Sequence, residues 1–169
     1  MSKRLLVATA LVAWLPTLSA AEGLAKPVLG YEAAGRMIAA CFAAQAAAGH
    51  AQVNVVVVDD GGRLIAAARQ DGACKACTDI AENKATTSAL YAAPTRAMAD
   101  LSFGVKRDGV GAGLPGAAFV PGLVAFAGGL PVKSASGDVT GGIGVSGASE
   151  DQDESCAQVG LDAVAKSLD

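Results

Sequence analysis

Aromatic side chains are scarce in this chain, at 4% of residues, and there is one histidine, His50. With so few rings, the core has to be filled by alanine, glycine and aliphatic side chains at close backbone approach. A closed zinc site needs four ligands, so a single histidine excludes the histidine-rich versions. Basic residues do not cluster. The formal net charge is −3, and Lys106-Arg107, the densest basic spot past the N-terminal residues, reads as a solvated loop. That excludes a nucleic-acid surface, which needs a basic patch to displace counterions from phosphates. No charge run suits a membrane surface. The glycine runs lack a Gly-Lys-Ser/Thr ending, so none is a phosphate loop. No Ser/His/Asp or paired-carboxylate constellation demands an enzyme.

What is present begins with a targeting pattern. Lys3 and Arg4 precede the apolar run Leu5–Leu15, and Ser19-Ala20-Ala21 offers a cleavage site. The run is too short for a stable bilayer span, and no later segment is long enough. Residues 1–21 are therefore expected to be a signal peptide and residues 22–169 one exported domain, periplasmic or secreted and free of the membrane.

Hydrophobic spacing supplies the element order. Ala34, Met37, Ile38, Cys41, Ala44 and Ala48 recur at helical intervals over 31–48, with Gly49 as the stop. A hairpin is expected over Gln52–Arg69, turning at Asp59-Asp60-Gly61-Gly62. Thr78 or Asp79 would cap a helix running to about Tyr91, and Pro94-Thr95 opens a short helix through Leu101. Gly104–Gly116 reads as a loop. A strand is expected from near Leu123 to Phe126, then a connection through Gly128–Val132 and a strand at Val139–Val145. Ser149-Glu150-Asp151-Gln152 is a capping-box signature for a last helix, striped by Ala157, Leu161, Val164 and Leu168. Hairpin-joined strands with covering helices make one α+β domain.

Four cysteines stand at 41, 74, 77 and 156. In an exported chain an even number favours disulfides, with three pairings open. Cys74-Lys75-Ala76-Cys77 admits two readings. A thiolate at a helix start beside Lys75 could exchange disulfides, sense redox state or hold a soft metal. The blander reading, a staple on the loop, carries more weight, since exported thiols oxidise. A metal held there would have to borrow Asp71, Asp79 or a second copy.

Several motifs share an order and spacing: Val57-Val58-Asp59-Asp60-Gly61-Gly62, Arg69-Gln70-Asp71-Gly72-Ala73, Asp79-Ile80-Ala81-Glu82-Asn83-Lys84-Ala85 and Pro94-Thr95, then Gly128-Gly129-Leu130-Pro131, Gly142–Gly147 and Gln152-Asp153. In that sequence they resemble the GlcG/HbpS family of haem-binding or haem-degrading-type domains, related to the C-terminal domain of PduO. The resemblance implies a profilin-like, five-stranded antiparallel sheet between helical layers, frequent homo-oligomers, and haem or a related tetrapyrrole as ligand. It also implies that the first and last helices share a sheet face, which favours the bridge Cys41–Cys156 and leaves Cys74–Cys77 as the local pair. Thr78 follows Cys77, so no Cys-x-x-Cys-His site for covalent haem exists.

Toward such a ligand the candidates are few. His50 is the only imidazole for iron, although it lies between a helix stop and a strand, without an evident partner to fix its ring. Met37, Met98 and Tyr91 are other axial candidates, with Met37 on a core stripe. Arg69, Asp71 and Lys84 could converge on a propionate or small carboxylate; equally, Lys84 could pair with Asp71 or Asp79. Gly128 and Gly129 would let a ligand approach the backbone, or simply form turns. The expected function is non-covalent haem or tetrapyrrole binding. The alternatives are a thiol-based redox or metal-responsive protein using Cys74 and Cys77, and a carboxylate binder or enzyme using Arg69, Asp71 and Lys84.

Overall fold

A computed structural model describes residues 27–105 and 108–167. The expected signal peptide, Lys106-Arg107 and Leu168 lie outside the described residues. Helix α1 (Tyr31–Ala48) buries Ala34, Met37, Ile38 and Cys41, and ends where Gly49 turns left-handed at φ 66°. Strands β1 (Asn54–Asp59) and β2 (Leu64–Arg69) form the expected hairpin. Its turn is fixed by Asp59, whose Oδ1 accepts from the amides of Gly61 at 2.9 Å and Arg63 at 2.8 Å. Helices α2 (Cys77–Tyr91) and α3 (Thr95–Phe103) follow, and then strands β3 (Gly129–Lys133) and β4 (Val139–Ser146). Helix α4 (Glu150–Asp162) closes the domain with the complete Ser149/Gln152 capping box.

The strands make one antiparallel sheet in the order β2-β1-β4-β3. Central β1 is buried on both faces, which is why its valines run without polar alternation. Val55 and Val57 join Met37, Cys41, Ile143, Cys156 and Ala157 under α1 and α4. Val56 and Val58 pack on Ala81, Ala85 and Ala89 of α2. The result is a mixed α+β fold with helices on both sheet faces.

Small residues let α2 lie almost on the backbone of β4. A side chain at Gly144 would put its Cβ 2.5 Å from the amide nitrogen of Ala85, and one at Gly142 would sit 2.7 Å from Ser88 Oγ. Alanine on α2 and glycine on β4 are thus the packing device of this interface.

Two expectations are corrected. The described sheet has four strands, not five: Leu123–Phe126 is not a strand. Pro121-Gly122 breaks the segment, and the amide of Val124 donates to Thr87 Oγ1 of α2 at 3.0 Å instead of to a neighbouring strand. The strand paired with β4 lies in the segment read as a connection, Gly129–Lys133. Pro131, which argues against a strand, is tolerated because β3 is an edge. Helix α2 also starts earlier than expected, with Ala76 as N-cap and no side-chain cap bond. Thr78 turns its hydroxyl to Asn54 Oδ1 at 2.8 Å instead.

Candidate functional site

His50, Arg69, Asp71 and the Cys74–Cys77 loop lie toward the end of the sheet where β1 begins and β2 and β4 finish; there Asn54 pairs with Arg69 on one side and Ser146 on the other. Asn54 is fully buried. Its Nδ2 donates to the carbonyls of Cys74 at 3.0 Å and Ser146 at 3.2 Å, while its Oδ1 accepts from Thr78. One amide therefore ties the cysteine loop, the start of α2 and the end of β4 together. Gln70 adds a second tie, its Oε1 accepting from the amide of Val53 at 2.9 Å and its own amide donating back to the Val53 carbonyl.

His50 follows Gly49 on the α1 side of this end and is half-buried. Its Nδ1 lies 3.0 Å from Oε1 of Gln45, a residue buried on α1. The amide nitrogen of Gln45 faces the carbonyl of Ala51 at 3.5 Å, so Oε1 is the atom offered to the ring. With Oε1 facing the ring, the contact suits the tautomer that carries its proton on Nδ1, and that tautomer would offer Nε2 to a metal ion. Gln45 supplies the partner that was not evident from the sequence; its only signal there was a polar residue on the buried face of a helix.

Arg69 ends β2, exposed, and Asp71 is exposed in the next loop. Neither makes a side-chain hydrogen bond or ion pair among the described residues. Lys84 does not join them. Its side chain is 1% exposed and its Nζ donates to Asp153 Oδ2 at 2.9 Å and to the carbonyl of Val145 at 2.8 Å. The ring of Phe126 lies 4.8 Å from the same nitrogen. Burial pushes the Lys84 pKa below the ordinary lysine value, and Asp153 opposes that shift. Thus neither Asp71 nor Asp79 is the partner of Lys84. Gly128 and Gly129 serve this same packing. A Cβ on Gly128, at φ 119°, would stand 2.5 Å from Lys84 Nζ, and one on Gly129 would stand 2.6 Å from Thr95 Cγ2.

Asp153 belongs to the acidic first turn of α4, which the helix dipole favours. Each acid in it also has a partner. Asp153 Oδ1 accepts from the amide of Ala148, and Glu150 from that of Ala127. Asp151 and Glu154 hold Arg96 of α3, whose pKa rises chiefly through its bond to Glu154.

One disulfide joins two helices and the other joins the loop before α2 to its first residue. Cys41 of α1 is bonded to Cys156 of α4 with Cα atoms 4.7 Å apart, and Cys74 to Cys77 at 5.3 Å. Among the described residues no group of three or more histidine, cysteine, aspartate or glutamate side chains could hold a metal ion. No helix among them is long and apolar enough to cross a membrane. Met37 is fully buried and Met98 nearly so, whereas Tyr91 is half exposed beside a cleft of about 140 Å³ between α2 and Pro121–Leu123.

Comparison with known proteins follows the fold. The model of the family described as haem degrading protein HbpS-like matches residues 29–162. No curated protein matches the chain. Among solved structures, a doubly substituted HbpS from Streptomyces reticuli is 34% identical over 93% of this chain and 98% of its own, with a TM-score of 0.72. Protein ORFY from Klebsiella pneumoniae is 29% identical over 84% and 94%, also at 0.72. A PduOC:haem complex, 24% identical over 80% and 94% at 0.69, shares the fold.

Proposed function

This chain belongs to the HbpS-like family, and from that membership we propose that it binds haem or a related tetrapyrrole without a covalent link. The observation that carries the reading is the family match over nearly the whole described domain. The residues present suit such a group. His50, with its ring held by Gln45 and Nε2 free, would take the iron, and the unpaired guanidinium of Arg69 would receive a propionate at the same sheet end. Bound haem supplies redox chemistry at iron; the protein's share is to hold and orient it. The cleft beside Tyr91 is smaller than the few hundred Å³ usual for enclosed ligands, so the site proposed is the open sheet end.

Titrating the purified protein with haemin tests this. A saturable Soret shift is expected, and a spectrum indistinguishable from free haemin overturns it. The carboxylate reading is less favoured, because Lys84 is committed to Asp153 and leaves Arg69 and Asp71 without it.

We also propose export to the periplasm or medium, supported by the residues of the N-terminal segment and by two disulfides. A homo-oligomer is proposed from the exposed Leu90, Leu101, Phe103 and Phe119 on α2, α3 and the following turn. Light scattering at a monomer mass would remove that part.

A further inference from the structure

We propose that Cys74 and Cys77 form an exchangeable redox pair that accepts electrons from a dithiol, protein or small molecule, independently of any haem. The two disulfides of this chain are built differently. Cys41 and Cys156 are both buried, join α1 to α4 and are separated by 115 residues. Cys74 is exposed, Cys77 is half-buried, and only three residues of sequence separate them. A ring that short restricts the unfolded chain little. The loop does not need it in the folded state either. Asn54 holds the carbonyl of Cys74 and the hydroxyl of Thr78, Ala73 is buried, and the amides of Ala73 and Cys77 donate to Gln70 and Cys74. None of these anchors uses a sulfur atom, so a staple would brace a loop already held by hydrogen bonds and burial.

The two sulfurs also differ in a way that suits exchange. Cys77 is the first residue of α2, whose start has no side-chain cap, so first-turn amides remain to stabilise a negative sulfur. Of the charges in this segment Lys75 favours that thiolate, while Asp71 and Asp79 oppose it; the uncapped helix start acts on the side of Lys75. The donor's thiolate attacks the exposed Cys74 sulfur, the Cys74–Cys77 bond breaks, and Cys77 leaves as the stabilised thiolate. The donor's second thiol then attacks its own sulfur in the mixed disulfide and releases Cys74. The donor is oxidised by two electrons to its disulfide; one of its protons ends on Cys74, and the other goes to solvent while Cys77 stays a thiolate, or to Cys77 once that is protonated.

The test is acid quenching and alkylation with mass mapping after graded dithiothreitol, with circular dichroism on the same samples. The expected result is an opened Cys74–Cys77 bond in a chain that keeps its fold and its Cys41–Cys156 bond. In Cys74→Ser, the alkylation of Cys77 should then show a pH midpoint below the ordinary thiol value of about 8.5. A midpoint one unit lower raises the thiolate present at pH 7 about eightfold. Should that variant not fold, the reduced unaltered chain gives the same reading, with Cys77 alkylated at lower pH than the more exposed Cys74. A local bond that opens only as the chain unfolds overturns the proposal, as does a Cys77 midpoint at or above the ordinary value.

Discussion

Lys84 of α2 and Asp153 of α4 meet at 2.9 Å with almost no exposure to solvent, bridging helices on opposite sides of the sheet past the end of β4. The carbonyl of Val145 and the amide of Ala148 complete the hydrogen bonding of the pair. Breaking one half strands the other charge in the interior. Lys84→Met should cost about 3–5 kcal/mol, and adding Asp153→Leu should recover part of that loss. Urea unfolding of the single and double variants measures both.

The same pair gives a pH dependence with a definite sign. Burial holds the folded pKa of Lys84 below the ordinary value of 10.5. Between the two values the unfolded chain binds more protons than the native one, so stability rises with pH across that interval. This contribution is complete above 10.5 and is lost as pH falls through the folded value. The unfolding free energy of the protein minus that of Lys84→Met should therefore climb on approach to the ordinary lysine value; a flat or falling difference would show that burial does not dominate.

Gly144→Ala should destabilise by about 1–3 kcal/mol or more, because its Cβ meets the backbone of α2, which cannot rotate away. Gly116→Ala, where nothing lies within 4 Å, is the control and should be near neutral. Thermal unfolding of both variants separates close packing from a general intolerance of alanine.

Removing Cys41–Cys156 by Cys41→Ser should cost about 4–5 kcal/mol, the loop entropy of a closure of about a hundred residues. Cys74→Ser should cost much less. Equal losses in chemical denaturation would contradict the distinction between the two bridges.

If His50 takes the iron, Gln45→Leu should weaken haemin binding about 10–100-fold by freeing the ring. His50→Ala should abolish the histidine-ligated spectrum, and an unchanged spectrum would remove His50 from the site.

Local pattern carried most of the fold. The apolar interval of α1, the Asp-Asp-Gly-Gly turn and the Ser149/Gln152 box are short-range features, and the structure has each in place. Gly128–Val132 misled because a glycine pair followed by a proline has the local look of a connection, and only strand order reveals that β3 is an edge. The start of α2 misled because Asn54, more than twenty residues away, captures the hydroxyl that would have capped it.

The sequence by itself determined the α+β class and the elements α1, β1, β2 and α4, because periodicity, turn chemistry and capping act between neighbours; the family showed in the shared order and spacing of the motifs. The sequence left Arg69, Asp71 and Lys84 open as one charged group or as a lysine paired with Asp71 or Asp79. Tertiary structure separated them, sending Lys84 inward to Asp153 and leaving the other two in solvent. A lysine on a helix shows the same local signal whether its face is wet or buried. Which partner lies across sixty-nine residues of chain is decided by sheet order and helix packing alone.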